Sequence, residues 1–120
     1  MNFLDQQLSS QVVAPPDRRR HPRYSIQVQI EFREDGGDVP IRANTTDLSQ
    51  GGCYVELMMP FPVGTNVTAT LWVSDCSVRM RGRVVTRHPQ FGNGIKFLEF
   101  KDSGEKLLAQ YLDAIDLVPA

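Results

Sequence analysis

Four arginines, Arg18, Arg19, Arg20 and Arg23, fall within six positions of a chain whose net charge is only −1. A guanidinium is a planar, permanently charged fork. It grips phosphate oxygens or the O6 and N7 edge of guanine with two parallel hydrogen bonds, and its flat face stacks on a base. A second polar group follows at Asp47-Leu48-Ser49-Gln50-Gly51-Gly52. Asp47 and Ser49 are two apart and so share one side of an extended segment, where a carboxylate can accept the N1 and N2 hydrogens of guanine. Gly51 and Gly52 permit a tight bend and close approach of a ligand to the backbone. Together the two groups would make an anion or nucleotide site. Apart, the first reads as a solvated basic arm and the second as ordinary turn chemistry, so the fold must decide.

The elements around them are legible from hydrophobic period. In YSIQVQIEF, Tyr24, Ile26, Val28, Ile30 and Phe32 alternate with polar residues, the period of a half-buried strand. Asp35-Gly36-Gly37-Asp38 is a turn signal, and a second strand from Val39 places Ile41, Ala43 and Thr45 on one face. CYVEL, VTATLWV, VRMRGRVV and GIKFLEF supply four more strands, with HPQFGNG read as a turn before the last. Six strands joined by short turns predict a mainly β fold, a six-stranded antiparallel β-barrel, because closure removes exposed edges. After them Asp102 and Glu105 read as a capping box. Leu107, Leu108, Tyr111, Leu112 and Ile115 then form the stripe of a C-terminal α-helix covering one opening or face of the barrel. Residues 1–16, with Leu4, Leu8 and Val12 at steps of four, read as a tail or short helix, and residues 17–118 as one ligand-binding domain.

The first hairpin carries the argument. Pairing Asp35 with Asp38 sets Tyr24 opposite Ser49 and Ile26 opposite Asp47, so the arginines and Asp47–Gly52 meet at the open end.

Composition narrows the classes of function. Residues 1–23 hold four Arg against Asp5 and Asp17, which leaves the remainder of the chain net acidic. Few basic residues share one surface, which disfavours a long polyanion, because non-specific nucleic-acid affinity grows with the phosphates neutralised. Cys53 and Cys76 share no metal or redox spacing, and Cys53 alternates with Val55 and Leu57 as a buried position. His21 and His88, each beside a proline, read as surface residues and not as metal ligands. The N-terminus has no leader pattern and no stretch is long and apolar enough for a membrane span, so a cytoplasmic setting without membrane insertion is expected. No Ser/His/Asp, Cys/His or paired-carboxylate arrangement suggests an enzyme. Trp72, Arg79, Arg81 and Arg83 are expected to point outward from their strands.

At the polar residues the sequence resembles the PilZ domain family, bacterial receptors for the second messenger cyclic di-GMP. The family's RxxxR stands here as Arg19-Arg20-His21-Pro22-Arg23, its [DN]xSxxG as Asp47-Leu48-Ser49-Gln50-Gly51-Gly52, and GNGIKFLEF is similar to its closing strand. The resemblance implies that Arg19 and Arg23 bind the ligand's phosphates and guanine edge or stack on a base. It implies that Asp47 and Ser49 hydrogen-bond a guanine, while Gly51 and Gly52 keep the turn close to it. An arginine at position 18 is associated in the family with two mutually stacked ligand molecules instead of one. The function implied is a cyclic di-GMP receptor without metal or catalysis, whose arginine arm orders on the ligand and relays it to an unidentified downstream protein. Two rivals stand beside it: a ligand-independent protein interaction module, which would use Trp72 and the N-terminal tail, and a weak nucleic-acid-binding module, which would use the same arginines.

Overall fold

The computed structural model describes residues 21–116. The expected tail or helix of residues 1–16 lies outside them. Six antiparallel strands close on themselves: β1 (Gln29–Glu34), β2 (Ile41–Leu48), β3 (Gly52–Glu56), β4 (Asn66–Val73), β5 (Cys76–His88) and β6 (Gly92–Phe100). Around the barrel they run in the order β1-β2-β3-β6-β5-β4, with β4 pairing back onto β1. The period-two pattern explains the wall. Val67, Ala69, Leu71 and Val73 of β4 point inward with Val78, Met80 and Val84 of β5, all buried, while Arg79, Arg81 and Arg83 face solvent. Trp72 also points outward and is partly exposed.

Both ends of the barrel are filled. The crossover from β3 to β4 brings Phe61 edge-on to Phe32, with ring centroids 5.8 Å apart. Buried Asn93 fixes this crossover: its amide donates to the carbonyls of Phe61 and Thr86, and its oxygen accepts the Phe61 N–H. Near the other end of β5, the helix α1 (Gly104–Asp116) packs with Gly104 against Val78 and buries Leu108 and Leu112. Each of these leucines contributes on the order of 2 kcal/mol by leaving water.

Three local expectations change. The helix cap is Ser103, whose carbonyl accepts the Leu107 N–H; Asp102 sits in the preceding turn at φ 56° with its carboxylate on Arg79, so the proposed capping box does not form. Gly92-Asn93-Gly94 begin β6 and are not a turn. The reversal lies one step earlier, where Phe91 N–H bonds the His88 carbonyl and Gln90 takes φ 67°. Glycine is required at 92 for a different reason: a Cβ there would collide with the carbonyl of Val55 on β3.

The third change concerns the hairpin that joins the polar groups. Its register is as expected from Phe32↔Ile41 to Gln29↔Asn44. The ladder is then interrupted by the buried Thr45, whose hydroxyl accepts the Val28 N–H at 3.0 Å and donates to the Ile26 carbonyl at 2.8 Å. Beyond this side-chain insertion Tyr24 pairs with Leu48 and not with Ser49, one residue away from the expected partner. On its other edge β2 carries a bulge between Thr45 and Asp47. That extra residue changes which side chains face the core: Thr45 and Leu48, three apart, are both fully buried.

Candidate functional site

The end of the arginine segment lies on the Asp47–Gly52 turn. Tyr24 and Leu48 exchange both backbone hydrogen bonds at 2.9 Å, which sets residue 23 opposite residue 49 and diagonal to residue 47. Arg23 Nη1 stands 4.0 Å from Asp47 Oδ2, with the two side chains 52% and 31% exposed. That separation is longer than a hydrogen bond, so the pair attracts without using either group's directional contacts. Two residues earlier the ring of His21 lies over Gly51, where a Cβ would come within 3.3 Å of it. Of the expected site residues, the structure therefore brings Arg23 together with Asp47, Ser49, Gly51 and Gly52. Arg18 and Arg19 lie outside the described residues.

Ser49 builds the turn. Its hydroxyl accepts the N–H groups of Gly51 and Gly52, both at 3.1 Å, and approaches the Gly52 carbonyl at 3.3 Å. Its backbone N–H bonds the same carbonyl at 2.8 Å. The side chain is nearly buried, so it and the Asp47 carboxylate do not form a matched pair facing solvent, as their spacing had suggested. The turn draws the Ser49 hydroxyl inward onto the backbone. The glycines act by close approach: a Cβ on Gly52 would overlap the carbonyl of Ile95 in β6, and Gly51 lies beneath His21. Past the turn, Cys53 points into the barrel, and burial, with a smaller contribution from Asp47, raises its thiol far above the ordinary range.

The ladders extend this surface to residues that sequence reasoning did not assign. Tyr54 stands opposite Asp47 on one side and Gly94 on the other. Its hydroxyl is 2.9 Å from His88 Nδ1 on β5, and the two rings are 5.7 Å apart at a tilt of 40°. Burial, then the carboxylates of Asp47 and Glu56, push the Tyr54 hydroxyl above its usual titration range, so it stays neutral at physiological pH. Gly52 stands opposite Lys96, an exposed amine on the outer face of β6. Only the order of the strands could have revealed these neighbours, since β3 and β6 are far apart in sequence. Among the described residues no group of three or more His, Cys, Asp or Glu side chains is arranged to hold a metal ion. Nor is any helix there long and apolar enough to cross a membrane.

Chemically, the arrangement offers a guanidinium, a nearby carboxylate, a tight glycine turn and an aromatic ring on one outer wall. The PilZ domain family model matches residues 17–114. No curated protein matches the sequence. Among solved structures, the fold is similar to the Bacillus subtilis inhibitor of motility MotI/DgrA, with TM-score 0.71 and 17% identity over 84% of this chain. The match takes in 52% of that protein, so the present chain spans about half its length. The PilZ domain of CeSA from a cellulose-synthesizing bacterium aligns with TM-score 0.60 and 18% identity, covering 79% of this chain and 98% of that one. The PilZ domain with c-di-GMP of YcgR from Escherichia coli aligns with TM-score 0.57 and 15% identity, covering 85% and 100%.

Proposed function

The chain belongs to the PilZ domain family, and from that premise we propose that it is a non-catalytic receptor for cyclic di-GMP. The observation that carries the reading is the seating of His21, Arg23 and Tyr24 on the Asp47–Gly52 turn, which sets the described end of the first motif against the second. The likeness to a PilZ domain with c-di-GMP supports the same ligand.

In this reading Arg23 leaves its loose approach to Asp47 and binds a phosphate or the guanine O6 and N7 edge, while Asp47 accepts the N1 and N2 hydrogens. Ser49 acts chiefly through the turn it holds, presenting Gly51 and Gly52 close to the ligand. Arg19 closes from the other side as the arm orders, and Arg18 favours a second molecule stacked on the first. Ordering the arm changes the surface offered to a downstream protein, because the ligand contacts the ordered arm and not the open one.

Calorimetric titration of the full chain with cyclic di-GMP tests the reading. Micromolar or tighter binding is expected, with about two ligands per chain. Absence of heat with the wild-type chain overturns the receptor assignment, and a stoichiometry of one overturns the role given to Arg18.

A further inference from the structure

The wall next to Asp47 carries an aromatic ring that neither motif includes. Tyr54 is the direct cross-strand neighbour of Asp47, at a separation where opposed side chains touch, about 5 Å between Cβ atoms. Its ring cannot stand over side chains of β6, because that strand presents glycine at both 92 and 94 on this face. The ring instead leans across the bare backbone: a Cβ on Gly92 would lie 3.0 Å from Tyr54 Cε2. At its far rim the hydroxyl is tied to His88 Nδ1. One edge of the ring therefore lies against glycine backbone, its hydroxyl is held, and the half-buried ring stands beside a carboxylate.

This is the construction of a base-stacking platform. A flat ring with few rotatable bonds, already immobilised, loses little entropy when a base lies on it. Its position next to Asp47 matches a base whose edge is held by that carboxylate. We propose that Tyr54 is the stacking face for a guanine of the bound nucleotide, with His88 as the residue that positions it. The inference rests on the receptor reading above. It adds a contact on β3 and a positioning residue on β5, both outside the two motif segments.

The test compares wild type with Tyr54→Phe, Tyr54→Leu and His88→Ala, using calorimetry with cyclic di-GMP and nuclear magnetic resonance of the bound ligand. Stacking on an aromatic side chain is worth about 1–3 kcal/mol per base, so Tyr54→Leu should weaken binding by about 10-fold or more. Tyr54→Phe and His88→Ala keep the ring but free its tip, and each should weaken binding by about 3-fold; unchanged affinity in both would remove the positioning role of His88. In the wild-type complex, ring protons of Tyr54 should show contacts to guanine H8, which should shift upfield; the shift should persist in the Phe variant and vanish in the Leu variant. The wild-type measurement needs no variant to fold. If wild type binds but shows no contact between Tyr54 and the base, or if Tyr54→Leu binds as tightly as wild type, the platform is wrong and the receptor stands. If wild type does not bind, both fall.

Discussion

Two sets of arginines that look alike in the sequence differ in the structure. On β5, Arg79, Arg81 and Arg83 share an outward face, and each has a partner: Asp102 at 3.0 Å, Asp35 at 3.2 Å and the side-chain oxygen of Asn66 at 3.1 Å. At the end of the arm, Arg23 approaches Asp47 only to 4.0 Å. The β5 stripe has its hydrogen-bonding directions occupied and its charge partly neutralised. Arg23 has an attractive neighbour that holds it in place but does not saturate it. Charge density along a sequence therefore says little about where a ligand goes; what matters is whether the fold satisfies the cation locally. The β5 arginines, held by these partners, add no open basic surface to the arm for a nucleic-acid-binding module to use.

Substitutions can break this contrast or sharpen it. Arg23→Ala should have the largest effect, lowering cyclic di-GMP affinity by about 100-fold, because charge-assisted hydrogen bonds contribute about 1.5–3 kcal/mol each. Undiminished binding in calorimetry would erase the distinction between the two groups. Thr45→Val comes next and acts on the seating of the arm. It leaves the Val28 N–H and the Ile26 carbonyl without their buried partner, and urea denaturation should show a loss of about 2 kcal/mol. A loss under ~0.5 kcal/mol would mean that the inserted hydroxyl is not what holds residues 24–28 against β2. Asp47→Ala should cost about 10-fold in affinity and narrow the preference for guanine over an adenine analogue, as expected for one charge-assisted contact to the base. Equal discrimination in competition titrations would remove Asp47 from base recognition. Arg81→Ala should do least: its half-exposed pair with Asp35 is worth about 0–1 kcal/mol, and ligand affinity should not change. A loss of binding there would make the stripe part of the site.

How far the sequence reveals all this depends on which contacts are local. Alternation in YSIQVQIEF and VTATLWV gives the strands and their inward faces, and the turn at residues 35–38 gives the first register as far as Gln29↔Asn44. The one-residue error at Tyr24 arises because a threonine hydroxyl takes the place of backbone in the ladder, which polarity patterns do not encode. Ser49 departs from its expected face for a related reason: its hydroxyl closes the turn on the Gly51 and Gly52 N–H groups, a local bond that the period-two argument does not include. The adjacency of Tyr54, His88 and Lys96 to the turn could not be derived. Their neighbourhood depends on β3 pairing with β6, and β6 with β5 through two register shifts, all at long sequence separation. The two motifs were visible because their chemistry is concentrated in short segments; the wall between them was not, because strand order assembles it.

The pair of cysteines adds a practical consequence. Cys76 is exposed where β5 leaves the β4 hairpin, whereas Cys53 is sealed inside the barrel one residue beyond the glycine turn. At neutral pH a thiol-reactive dye should attach at position 76 and find position 53 closed until β3 parts from a neighbouring strand. The native chain thus contains its own fluorophore anchor and, separately, a chemical clock for the breathing of the strand that begins at the turn. If a ligand clasps that turn, the clock should slow while the anchor reacts as before.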